Sequence, residues 1–333
     1  MRKENMRTIK IGFVDFWPDF DYKEFFMYKY LSKYYNLVVS DTPDYLFCSS
    51  FGYNHWKYSN CIKIYYTAEN LVPDFNIYDY GISFFYLSLE DRYLRFPLWL
   101  TYSWDVLDKM EGDNTIDERF CERGFCNFVY SNSGWADPIR EKFYREISKY
   151  KRVDSGGAFL NNIGYRVPNK IDFIKDYKFT IAIENSVVSG YTSEKIIEPM
   201  IVNSIPIYYG DPYVDRDFNM QSCVHIRDFK SIQDTIDYII ELDKDDALYI
   251  SKLQQKWFAH ENIKSIYDKK LRDFFENIFD KEKDDAIRIV DYGFARRYRK
   301  ELRRTTPWAT TLLVEKGYGL LDRLKRIRKG TKQ

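Results

Sequence analysis

Cysteine and histidine are scarce in this chain, and the way they are placed removes several chemistries at once. The five cysteines, Cys48, Cys61, Cys121, Cys126 and Cys223, are odd in number and include no CxxC pair, so neither a disulfide framework nor a zinc site is expected. The three histidines, His55, His225 and His260, are too dispersed to suggest a triad or a metal cluster. No GxGxxG fingerprint is present, and the pair Gly156-Gly157 alone is a weak phosphate-loop signal. No uninterrupted apolar run approaches the roughly 20 residues of a membrane helix, since the best candidate, residues 81–104, is broken by Glu90, Asp91, Arg92 and Arg95. The opening residues, MRKENMRTIKIGF, carry charge without the apolar segment of a signal peptide. A cytoplasmic protein, at most peripheral on the inner membrane, is therefore expected. The formal net charge of +1 argues against a general nucleic-acid binder.

Aromatic residues are what the chain has in excess. Its 30 Tyr and 25 Phe belong to a composition that is 45% hydrophobic, and most of these rings must serve as core. A minority is available to stack on sugar faces, a common use of rings in carbohydrate enzymes. At 333 residues the chain is long enough for two domains, each with its own core.

The stretch 178–212, KFTIAIENSVVSGYTSEKIIEPMIVNSIPIYYGDP, reads as one βαβ unit. Residues 179–183 form an apolar run of the kind found in a strand buried on both faces. A polar loop with Gly190 follows, then a helical pattern from Thr192, with Thr192 or Ser193 as N-cap and Ile196, Ile197, Met200 and Ile201 at helix spacing. Residues 204–209 give the second strand. In open α/β sheets ligands settle at strand carboxyl ends, where helix N-termini attract anions. Glu184, Asn185, Tyr191, Glu194 and Lys195 fall on that edge, a set suited to a sugar nucleotide. A plain βαβ unit with a solvated, charged helix start fits the spacing equally well.

The first half alternates in the same way. Strands are expected over 9–16, 37–40, 44–48 and 62–66 and a helix over 23–35, a Rossmann-like pattern. Thr67-Ala68-Glu69-Asn70 follows the last of these strands and puts Glu69 at a carboxyl end. Residues 104–123 lose the apolar rhythm and read as a connector, after which a strand over 125–130 and a helix over 138–150 are expected, with Pro138 and Arg140 in the first helical turn. Helical patterns return over 231–242, 246–258 and 263–279. Two DxD strings, Asp19-Phe20-Asp21 and Asp215-Arg216-Asp217, are short enough to arise by chance in a chain this rich in aspartate.

Three ordered segments resemble the α1,3/4-fucosyltransferase family, which makes Lewis-type glycans from GDP-fucose. They are IYYTAENLVPDFNIYDYGISF at 64–84, FVYSNSGWADPIREKFY at 128–144, and ENSVVSGYTSEKII with SIPIYYGDP after it. The similarity spans most of 61–255, with Ala68 standing where the family has glycine. The resemblance implies two Rossmann-like domains facing a cleft, the GT-B architecture. An acceptor-binding domain would take residues 1–123, a GDP-fucose-binding domain 124–287, and a basic, helical tail 288–333. It also implies roles: Glu69 as catalytic base, Arg140 and Lys195 on the donor diphosphate, Tyr191 and Glu194 on nucleotide or ribose, and Asn185 on sugar or base. The implied reaction is an inverting transfer of L-fucose to an oligosaccharide or glycolipid acceptor, α1,3 to the GlcNAc of a β-galactoside. No cofactor or metal is required, a divalent ion entering only as a stimulant. Another acceptor, linkage or GDP-sugar, and an inactive glycan-binding protein of the same fold, are the alternatives.

The tail carries fourteen Lys/Arg against four Asp/Glu over 288–332, interleaved with aromatics and leucines. A basic amphipathic helix over 320–329, lying on an anionic membrane, and a solvated tail are the two readings, with nucleic acid a distant third.

Overall fold

The computed structural model describes residues 6–107, 116–131, 134 and 136–305. The expected helix over 320–329 and part of the 104–123 connector lie outside the described residues. The chain divides into two compact units, one of residues 1–82, 89–94 and 274–333, the other of residues 83–88 and 95–273.

In the first unit, strands β1 (Thr8–Val14), β2 (Asn36–Val39), β3 (Tyr45–Cys48), β4 (Ile62–Tyr66), β5 (Tyr80–Ser83) and β6 (Tyr93–Arg95) form a sheet of order 2-1-3-4-5-6. β1 to β5 pair in parallel. The central strands are apolar along their whole length because both faces are covered, and Ile9, Ile11, Leu46, Phe47, Ile62 and Ile64 are buried. The helix expected over 23–35 is only Phe26–Leu31. Its N-terminal flank is drawn into an aromatic cluster instead. Phe13 stacks on Tyr22 at 5.6 Å and on Phe47 at 5.5 Å, and Phe25 packs edge-on to Tyr66 at 4.9 Å. Beyond Leu31 the Ser32 hydroxyl turns back to the Tyr28 carbonyl at 2.7 Å as the chain turns into β2.

The second unit holds a parallel sheet of order 11-10-9-7-8, made of β7 (Gly124–Phe128), β8 (Val153–Ser155), β9 (Tyr177–Ile183), β10 (Ile205–Tyr209) and β11 (Val224–His225). Its core joins Cys126, Phe128, Phe179, Ile181 and Ile207 with Ile236, Ile239 and Leu242 of the Ile232–Lys244 helix. Ser231 caps that helix by accepting from Asp234 N–H.

These units depart from the boundaries expected at 123 and 287, for reasons visible in the packing. Arg95 forks onto buried Asp217 at 2.6 and 3.0 Å, and Trp99 stacks on Phe258 at 5.3 Å, which commits residues 95–103 to the second unit. From Phe274 the chain belongs to the first unit. Phe279 packs on Tyr45 at 4.6 Å, Tyr80 donates to the Ala286 carbonyl at 2.8 Å, and Asp79 accepts from Arg288 and Ile289 N–H at 2.8 and 2.9 Å.

Candidate active site

In the second sheet the chain runs from β7 outward to β8 and then returns to β9 on the other side of β7, so the switch point lies between β7 and β9. Ligands of open α/β sheets bind beside such a point, at the strand carboxyl ends. Tyr130, just past β7, accepts from Ile183 N–H at 2.8 Å, and its hydroxyl lies 2.9 Å from the Ile181 carbonyl oxygen. Burial pushes its pKa up to about 12. Over its ring, 4.1 Å from the centroid, sits the guanidinium of Arg140.

Arg140 is in the first turn of the Ile139–Ile147 helix, as expected, and is buried. Asp137 accepts from Ile139 N–H at 3.0 Å and donates its own N–H to the Asn185 carbonyl at 2.8 Å, tying this helix start to the end of β9. Arg140 Nη2 donates to the Ile183 carbonyl at 2.8 Å and to Asn185 Oδ1 at 2.7 Å. Its buried Nε has no partner among the described residues. A buried cationic donor left unpaired is costly and fits a site completed by an anionic ligand oxygen.

Lys195 stands in the first turn of the Glu194–Ile201 helix, but not as an unencumbered cation. Its Nζ lies 3.2 Å from Glu184 Oε2, 3.1 Å from Glu194 Oε1 and 2.9 Å from Ser193 Oγ. Glu184 is fully buried and accepts from the Ser193 N–H at 2.8 Å. Ser193 is the N-cap by position, yet its hydroxyl serves Glu184, 2.7 Å away, and not a helix N–H. Burial works against the lysine charge, and Glu184 followed by Glu194 reverses this, holding the pKa well above the ordinary lysine value. Burial likewise pushes the Glu194 carboxyl up, but Lys195 and then Lys170 bring it below its usual value.

Arg140, Asn185, Glu194 and Lys195 line one cavity of about 360 Å³. Tyr191 is not among its lining residues. It lies half-buried with its ring 5.2 Å from Phe84, next to Gly190, whose φ of 85° and close approach to the Phe84 carbonyl require glycine. Sequence reasoning missed Arg166 and Lys170 in the lining, both carried by the 156–170 segment, and undervalued Gly156 and Gly157. The signal was the glycine pair just past β8. A Cβ on Gly157 would sit 2.0 Å from the Tyr130 carbonyl oxygen, so the backbone itself forms this wall. Gly157→Ala must displace the Tyr130 segment and with it the Arg140 platform. The expected result is diphosphate binding in this cavity weakened by about tenfold or more in calorimetry, a loss on the order of 1.4 kcal/mol. With four cationic side chains against Glu194 alone, the lining suits a multiply charged anion.

In the first unit, Glu69 follows β4 at the strand's carboxyl end and is exposed. Its N–H donates to Thr67 Oγ1 at 3.0 Å, and its carbonyl accepts from Leu71 N–H at 2.7 Å, so a tight turn presents the carboxylate. Of the DxD residues, Asp217 is buried against Arg95 and Trp99, whereas Asp19 and Asp21 are exposed. Among the described residues no group of three or more His, Cys, Asp or Glu is placed to hold a metal ion. No described helix is long and apolar enough to cross a membrane.

Residues 11–102 match the alpha-(1,3)-fucosyltransferase FucT N-terminal domain, and residues 122–280 match glycosyltransferase family 10 (fucosyltransferase), C-terminal part. The alpha-(1,3)-fucosyltransferase FucT of Helicobacter pylori is 31% identical over 330 residues, covering 85% of this chain and 68% of that protein. The chain belongs to glycosyltransferase family 10, the fucosyltransferases. Alpha-(1,3)-fucosyltransferase B of Drosophila melanogaster is 30% identical over 194 residues, which are 52% of this fucosyltransferase and 43% of the fly protein. A crystal structure of an α1,3-fucosyltransferase superimposes with a TM-score of 0.73 at 31% identity, and one with GDP-fucose with 0.71 at 29%. Each covers 85% of this chain and 93% of the other. Two parallel α/β sheets, one per unit, are the GT-B framework of such an enzyme.

Proposed function

We propose that this fucosyltransferase moves L-fucose from GDP-fucose to a glycan hydroxyl with inversion, forming an α1,3 linkage to the GlcNAc of a β-galactoside. The observation that carries the donor assignment is the cationic cavity at the β7/β9 edge, where buried Arg140 keeps an unpaired Nε. Arg140 and Lys195 offset the charge that grows on the diphosphate as the fucosyl–oxygen bond breaks. Glu194 accepts from ribose hydroxyls, Tyr191 packs near the nucleotide, and Asn185, already fixed by Arg140, orients sugar or base. Glu69 takes the proton of the attacking acceptor hydroxyl, an exposed carboxylate being free to meet it. The bond from acceptor oxygen to anomeric carbon forms while GDP leaves with the bonding pair.

Lipid-linked glycans are proposed among the acceptors. The described start of the tail, Gly293–Thr305, is a helix with six Lys/Arg, and exposed Phe294 and Tyr298 lie one turn apart on it. That pattern suits an anionic membrane surface. The test of the whole reading is product formation from GDP-fucose with N-acetyllactosamine, lactose and Galβ1,3GlcNAc in parallel, with linkage determined by NMR. An α1,3-fucosylated product on N-acetyllactosamine is expected. Absence of both transfer and GDP-fucose binding overturns the donor assignment.

A further inference from the structure

The first sheet has a switch point of its own. The chain passes from β1 to β2 on one side and then to β3 on the other, so the carboxyl ends of β1 and β3 flank a second crevice of the type that receives ligands. The loops that follow these two strands expose three large rings: Trp17 at 39%, Phe51 at 49% and Tyr53 at 39%. Trp17 meets Phe51 edge-on at 6.4 Å. Exposed rings gathered on two loops at a ligand-binding edge are informative in a way that a scattered surface aromatic is not.

These loops are fixed from beneath. Asp15 adopts a left-handed backbone, φ 62°, immediately after β1. Its carboxylate accepts from Asn54 N–H at 2.7 Å and His55 N–H at 2.9 Å and pairs with His55 Nδ1 at 2.7 Å, the whole pair being buried. The Asp15 carbonyl accepts from Phe51 N–H at 2.8 Å. A Cβ on Gly52 would lie 2.6 Å from Asp15 Oδ1, so glycine is what lets the chain between Phe51 and Tyr53 close over the dyad. The same loop reaches the catalytic edge, because Ser50 Oγ lies 3.4 Å from Thr67 Oγ1, the atom that receives the Glu69 N–H.

We infer that Trp17, Phe51 and Tyr53 form a stacking platform for a pyranose ring of the acceptor glycan, held rigid by the Asp15–His55 pair next to Glu69. The inference rests on the reading of Glu69 as the acceptor-side base. A sugar ring is the occupant that fits. Its C–H face packs on exposed rings, and its hydroxyls find polar partners such as the exposed Asn54 beside them. Held rings bind without an ordering penalty on the protein side.

The test uses the full chain with N-acetyllactosamine and GDP-fucose. Trp17→Ala is expected to raise the acceptor KM about tenfold, and Trp17→Ala with Phe51→Ala further, with Trp17→Phe restoring much of the loss. A melting curve of each variant by circular dichroism reports whether it is folded, and GDP affinity by calorimetry whether the donor site is unaltered. Saturation-transfer NMR on the wild type should place the glycan against aromatic protons, a signal lost in the double variant. An unchanged acceptor KM and unchanged saturation transfer in the double variant overturn the platform. So does a wild type that hydrolyses GDP-fucose but binds none of the three glycans. Glycan binding that is lost in the variants, in a wild type that never transfers fucose, upholds the platform and overturns the catalytic reading instead.

Discussion

Replacing Glu69 with Gln or Ala is expected to lower transfer to an acceptor by roughly 10²- to 10⁴-fold, the usual contribution of a general base, while GDP affinity stays within about twofold of wild type. The expected separation follows from where the side chain sits. Glu69 is exposed, and the turn that carries it is held by backbone groups, through its N–H to Thr67 and its carbonyl to Leu71. Neither bond involves the carboxylate, so substitution alters the chemistry and leaves the turn. A surface change of this kind costs at most about 0.5 kcal/mol of stability. Steady-state transfer with saturating donor, together with calorimetric GDP binding, checks both halves. Full transfer by Glu69→Gln would place the base elsewhere. A parallel fall in GDP affinity would mean that the residue serves the donor instead.

The parts of this chain that were legible in the sequence are those where one physical requirement dominates. The apolar runs at 179–183 and 204–209 became Tyr177–Ile183 and Ile205–Tyr209 because a strand buried on both faces leaves little choice of residue. The 263–279 helix emerged with its ends unchanged, since a long amphipathic period is hard to mistake. The 23–35 segment misled because rings at helix spacing also suit a cluster around Phe13, and tertiary packing took them. Glu184 is the instructive case at the site. Its place at a strand end was visible, but nothing local distinguishes a carboxylate that will face a ligand from one that will be buried to hold the lysine. That depends on the three-dimensional meeting of β9 with the Glu194–Ile201 helix. Arg166 and Lys170 were undervalued for a similar reason, since the glycine pair was their only local signal and the loop from Gly157 to the Lys170–Ile174 helix has no regular period. The Asp15–His55 pair joins residues forty positions apart, one at a strand end and one in a short helical turn, with no motif to announce it.

The pairing of Lys195 with Glu184 changes what its removal should do. A cation serving only the diphosphate could be truncated at the expense of binding alone. Here Lys195→Ala leaves Glu184, whose side chain is fully buried, as an uncompensated charge, and removing one partner of a buried pair costs roughly 3–5 kcal/mol. The expected result is a melting temperature lowered by on the order of 10 °C, together with GDP affinity reduced about 10- to 100-fold. The sign of the pH dependence follows from the raised lysine pKa. The stabilisation from the lysine charge is fully present below the unfolded value of 10.5 and is lost only as pH rises beyond it through the raised folded value. A double replacement separates the two effects. Glu184→Gln keeps an oxygen for the Ser193 N–H while removing the orphaned charge, so Lys195→Met with Glu184→Gln should recover most of the lost melting temperature without recovering GDP affinity. If the double variant binds GDP as the wild type does, Lys195 is a structural partner of Glu184 and Arg140 carries the diphosphate without it. If it recovers neither property, the carboxylate is itself required, and the helix start is held by Glu184 more than by the lysine.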